Sequence, residues 1–187
     1  MSGSRKVTAP GVVRLAVELG LVPSHAEIRR DGSVQWKSET FSYIGFVYRE
    51  DEDLAWTLWV GDANFPDVEG GMLSVPIMGE PYSMPWPTRV DDNLTTFLRN
   101  GLGEAARFVK SREDLCLLLA SRDNVRRGHV TTRFFEGNHP ARFVGALVIA
   151  RDMGRADLEA DVLGKLAGLE GGRQIRQRQG VGDDARS

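Results

Sequence analysis

Between Arg49 and Arg89 the chain contains neither lysine nor arginine. Other absences bound its chemistry. A single cysteine, Cys116, rules out an internal disulfide framework and fits a reducing compartment. It lies in the apolar run Leu115 to Leu119, where a thiol reads as buried and structural rather than nucleophilic. The three histidines, His25, His129 and His139, are far apart, and no Cys-x-x-Cys pair exists, so no metal site is expected. No Gly-x-Ser-x-Gly elbow, P-loop or Gly-x-Gly-x-x-Gly fingerprint occurs, so the chain reads as a non-enzyme without a cofactor. No apolar run approaches the roughly 20 residues of a membrane span. The N-terminus lacks the apolar core of a signal peptide, so a cytoplasmic location is expected and a membrane partner is not.

What the cation-free stretch does contain is acid and rings. Eight carboxylates (Glu50, Asp51, Glu52, Asp53, Asp62, Asp67, Glu69, Glu80) and three of the four tryptophans (Trp56, Trp59, Trp86) lie within it. Over the whole chain the net charge is only -2. A segment of this kind presents a negative, aromatic surface that suits a basic protein and repels nucleic-acid phosphate.

The remaining composition is that of an ordinary globular protein, 41% hydrophobic and 27% charged over 187 residues. One domain is expected over residues 1–167. The Gly-, Gln- and Arg-rich tail, 168–187, has too few apolar anchors to order itself. The sequence leaves oligomeric state open.

Periodicity predicts an α+β fold: an N-terminal helix, an antiparallel meander of four to five strands, then a C-terminal helical layer packed on the sheet. Thr8 caps the first helix, Pro10 sits in its first turn, and Val12, Val13, Leu15, Ala16 and Leu19 make its stripe. The period then changes to two. Asp31-Gly32 joins a hairpin between His25–Arg30 and Ser33–Lys37. Strands over Phe41–Arg49 and Leu54–Val60 follow, linked by the acidic tip Glu50 to Asp53. The first is apolar on both faces and reads as central. Met72–Met78 reads as a further strand, at an edge or bulge because of Pro76. Two loops, Gly61–Gly71 and Gly79–Pro87, interrupt the region. Beyond Asp91 come helices around Leu94 to Leu102, broken near Gly101 and Gly103, and a helix capped by Ser111 with Asp114 three residues on. A helical hairpin follows from His139 to Gly154 and from Ala156 to Ala167. Residues 122–138 are not readable beyond a short strand within Val130 to Phe135.

Loops of this length carrying rings read as recognition surfaces. The expected binding face comprises Phe65, Tyr82 and Trp86 as anchors, with Asp62, Asp67 and Glu69 complementing a basic cleft. Gly70 and Gly71 form the turn beside them, and the tip Glu50 to Asp53 adjoins. Trp56 and Trp59 fall within the strand pattern and read as covering the sheet. Asp62, Asp67 and Glu69 are also the best acid–base candidates, yet nothing near them in sequence would separate their pKa values.

Ten basic residues between Arg107 and Arg155 outnumber five acids over residues 105–155. That excess supports an alternative reading, a nucleic-acid-associated regulator. The overall pI near 6.0 disfavours it, as does the lack of a helix-turn-helix or zinc-finger pattern.

The layout over residues 8–167 (short helix, Trp- and Tyr-rich antiparallel sheet, acidic loops, packed helices) resembles small α+β immunity proteins, which neutralise polymorphic toxins. The resemblance is one of architecture and surface character. It implies a cytoplasmic inhibitor that binds one basic toxin domain and occludes its active site.

Overall fold

The structure, a computed structural model, describes residues 7–65, 74–134 and 139–168. Helix α1 (Ala9–Glu18) starts as the sequence predicts: Thr8 Oγ1 accepts from the Gly11 amide at 3.2 Å and Pro10 occupies the first turn. Its buried residues, Val12, Val13 and Ala16, face the sheet. Strands β1 (Glu27–Ile28) and β2 (Ser33–Lys37) form the hairpin around Asp31-Gly32. The Asp31 carboxylate accepts from the Ser33 amide at 2.9 Å and its hydroxyl at 2.7 Å. Gly32 has φ +90°, and a Cβ there would stand 2.7 Å from Ala9 Cβ and 2.8 Å from the Val47 carbonyl oxygen. Only glycine satisfies both the turn and the approach of α1.

Strands β3 (Phe41–Glu50) and β4 (Asp53–Asp62) pair along their whole length, with Asp51 and Glu52 as the turn. Asp51 takes φ +53°, a left-handed conformation that Asp tolerates better than most residues. Strand β5 (Ser74–Pro85) pairs with β4 in two sections, Ser74–Met78 against Gly61–Thr57 and Ser83–Pro85 against Ala55–Asp53. A register shift separates them. The expected loop Gly79–Pro87 is therefore mostly strand: its prolines interrupt the ladder without ending it.

Helices α2 (Asp92–Asn100) and α3 (Leu102–Ala105) meet at Gly101, and α4 (Arg112–Leu119) is capped by Ser111, whose Oγ accepts from the Asp114 amide at 3.1 Å. Short strands β6 (Arg126–Arg127) and β7 (Val130–Thr132) precede α5 (His139–Asp152) and α6 (Ala156–Ala167), which form the helical hairpin.

The sheet is wholly antiparallel and seven-stranded, in the order β1-β2-β3-β4-β5-β7-β6, rather than four- or five-stranded. Strand β5 is interior, which corrects the edge expected from Pro76. The Pro76 carbonyl accepts from the Arg133 amide, one residue past the end of β7. A residue's nitrogen and carbonyl oxygen face the same neighbour, so the missing N–H points where the ladder has already ended.

One face of the sheet supplies the core. Val34, Tyr43, Val47, Leu58, Val60 and Ile77 point into it and join Leu98, Leu115, Leu119, Phe143 and Leu147 from the helices. Trp36 and Tyr43 pair across strands with rings stacked at 4.7 Å. Trp56 lies under the irregular part of β5 and is 1% exposed. A Cβ on Gly101 would meet its ring at 2.6 Å, so the break between α2 and α3 lets the backbone lie against the indole. Its Nε1 has no hydrogen-bond partner among the described residues.

Candidate functional site

The other face of the sheet is where apolar surface remains outside the core. Alternation along β3 sends Phe41, Tyr43 and Val47 inward and Ile44, Phe46 and Tyr48 outward. Their cross-strand partners are Trp59, Thr57 and Ala55 respectively. Ile44, Phe46, Tyr48 and Trp59 are not part of the core cluster, and Phe46 is 42% exposed. The twelve-residue β5 then bends at its register shift and brings Tyr82 beside Tyr48, the two hydroxyls hydrogen-bonded to each other.

The result is an open cavity of about 1040 Å³. Phe46, Tyr48, Trp59, Met78 and Tyr82 line it, and the hairpin tip Glu50 to Asp53 forms one rim. Burial, the Tyr48 hydroxyl and the Glu50 carboxylate all raise the Tyr82 pKa, so this phenol stays protonated. At the rim Asp53 accepts from Ser83 Oγ at 2.8 Å, and Glu52 pairs with Arg49 at 2.5 Å. Among the described residues, the single basic residue lining the cavity is Arg133, whose guanidinium carbon lies 5.4 Å from the Tyr82 ring centre.

The predicted site residues are distributed differently from expectation. Tyr82 lines this cavity. Trp86 lines a separate cleft of about 650 Å³ between β5 and α2, with Met84, Phe97, Asn100 and His129. Its ring packs against the core, its Nε1 donates to the Val7 carbonyl at 3.2 Å, and Arg49 lies over it at 5.8 Å. Phe65 is half-buried against the core.

Asp62 does not belong to a solvated acidic face. It is fully buried, accepts from the Asn64 amide at 2.9 Å and from Arg112 Nε at 2.6 Å, and ties the end of β4 to the start of α4. Arg112 also donates to Asp152 at 2.6 Å. Burial opposes its charge, but the hydrogen bonds it donates to the two carboxylates outweigh that and raise its pKa. This role is structural. Asp67, Glu69, Gly70 and Gly71 lie outside the described residues.

Sequence reasoning missed Phe46, Tyr48 and Trp59. A strand apolar on both faces reads as sandwiched, whereas β3 is central in the sheet and, among the described residues, packs into the core on one face only. The usable signal lay next door: Ser33, Gln35 and Lys37 of β2 and Thr57 of β4 share the outer face, and their polarity argues against a covering layer.

Five of the ten basic residues between Arg107 and Arg155 are engaged in ion pairs among the described residues: Arg112, Arg126, Arg127, Arg151 and Arg155. Arg127 grips Asp114 with two bonds of 2.7 and 2.6 Å, Arg126 reaches Glu80 at 2.8 Å, and Arg155 reaches Glu113 at 3.0 Å and Asp157 at 2.6 Å. No helix among the described residues is long and apolar enough to cross a membrane. Comparison with protein-family models, curated proteins and solved structures gives no match for this chain.

Proposed function

We propose that the chain is a protein-binding module whose outer sheet face, rimmed by the tip Glu50 to Asp53, docks a basic partner. The observation that carries this reading is the set of rings, Phe46, Tyr48, Trp59 and Tyr82, gathered outside the core in one acid-rimmed cavity. Surface aromatics clustered beside charge supply binding energy at the centre and electrostatic selection at the rim. Edge-to-edge strand addition is a poorer route, because the outermost strands β1 and β6 are two residues each.

The finer reading is an immunity-type inhibitor that holds its sheet face over the cleft of a basic toxin or effector domain. The α+β architecture and the acidic rim support it. The alternative, a nucleic-acid-associated regulator, draws less support, since ion pairs to local acids take up many arginines of the second half.

Capture of partners from cells in which the protein is native tests the reading. The wild-type chain retains a basic protein, Phe46→Ser loses it, and the control Val90→Ser, at an exposed residue beside α2, keeps it. Retention by Phe46→Ser contradicts the proposal. Salt-sensitive capture of DNA or RNA in place of a protein favours the alternative.

A further inference from the structure

The charge balance of the outer-face cavity is lopsided. Among the described residues, five carboxylates line it (Asp31, Glu50, Asp51, Glu52 and Asp53) against one arginine, Arg133. Of these acids, Glu52 has a cationic partner in Arg49. Asp53 and Asp31 are held by serines, which leave their charge in place. Arg133 itself is exposed and, among the described residues, forms no salt bridge, although its guanidinium lies over the Tyr82 ring. The rings of this cavity thus already accept a guanidinium from within the chain, and among the described residues Glu50, Asp51 and Asp53 of the tip form no salt bridge.

We infer that the anchor of the partner is an arginine side chain, seated against the Phe46 and Tyr48 rings, which precede Glu50 on the same face of β3, and forked onto the carboxylates of the tip Glu50 to Asp53. The inference rests on the docking role proposed above and narrows it. A guanidinium is planar, weakly hydrated and carries paired N–H donors, so it stacks on aromatic faces and engages a carboxylate with two bonds at once. A lysine ammonium is a strongly hydrated point charge that stacks less well and cannot fork. A neutral apolar anchor would occupy the rings and leave the rim acids facing one another unmatched.

The test is an amide and indole NMR titration of the full chain with the peptide acetyl-Gly-Arg-Gly-amide. Parallel titrations use peptides bearing lysine or citrulline, the latter an arginine isostere without charge. The arginine peptide gives saturable shifts at Phe46, Tyr48, Tyr82 and residues 50–53, and added salt weakens them. The lysine peptide binds several-fold more weakly and citrulline gives no saturable shift. Glu50→Gln with Asp53→Asn, whose spectrum reports its own folding, loses about tenfold in arginine affinity. Equal binding of citrulline, or shifts centred on Trp86 and Phe97, overturns the inference. An absence of shifts also overturns the arginine anchor. The docking role then stands or falls separately, on whether Phe46→Ser and Val90→Ser differ in partner capture.

Discussion

Asp62 and Arg112 are separated by 50 positions in sequence and by 2.6 Å in space. The pair fastens the last residue of β4 to the first residue of α4, so the helical layer is tied to the sheet by charge as well as by packing. Removing one partner of a buried pair leaves an uncompensated charge. Arg112→Met leaves the buried Asp62 carboxylate with the Asn64 amide alone and should cost about 3 kcal/mol in denaturant unfolding, with Asp62→Ala costing less because the partly exposed Arg112 keeps Asp152. An Asp62→Ala protein as stable as wild type would return this residue to the solvated surface that its sequence context suggested.

Gly101 tests the packing beneath β5. A methyl group there meets the Trp56 ring at 2.6 Å, closer than any real contact, and the ring is enclosed. Gly101→Ala should destabilise the protein by about 1–3 kcal/mol and shift the Trp56 indole resonance. Gly164→Ala is the control, since a Cβ there meets nothing within 4 Å. Its position inside α6 favours alanine by about 0.5–1 kcal/mol.

Acid should weaken the link between α4 and β6. Burial raises the Asp114 pKa, but the hydrogen bonds and charge of Arg127 outweigh it, so the folded value lies below the ordinary 3.8. A carboxylate with a depressed folded pKa binds fewer protons folded than unfolded. Its contribution is therefore complete above the unfolded value and is lost as the pH falls through the folded one. Unfolding measured from pH 6 downward should show stability declining below about pH 4, with a shallower decline in Asp114→Asn. An equal slope in both proteins would contradict this assignment.

The two faces of the sheet should respond oppositely to truncation. Phe46→Ser changes an exposed side chain outside the core and should alter stability by no more than about 0.5 kcal/mol. Leu58→Ala on the neighbouring strand removes a fully buried side chain and should cost about 2–5 kcal/mol. Comparable losses at both positions would mean that something covers the outer face.

Much of the scaffold is legible because its signals are local. Thr8, Asp31-Gly32, Ser111 with Asp114, and the stripes of α5 and α6 each specify an element within a few residues. The second half of β5 is illegible for the opposite reason. Pro81 and Pro85 are loop signals, and only pairing with Asp53 to Ala55, some thirty residues earlier, makes a strand of that segment. Strand β7 falls within the short strand expected over Val130 to Phe135, whereas β6, two residues long, carries no period and exists through its pairing with β7. The site divides in the same way. The acidic tip and Tyr82 are readable, but the grouping of Phe46, Tyr48 and Trp59 depends on which face of β3 the helices cover. The burial of Asp62 depends on an arginine that only the fold brings near.

A photo-crosslinking residue placed at position 46, compared with one at position 90, addresses the docking role most directly. In the native cell, position 46 should give a discrete adduct with one basic protein, abolished by Glu50→Gln with Asp53→Asn, while position 90 gives none. No adduct from position 46, or the same adduct from both positions, would show that the outer face of the sheet is not where a partner sits.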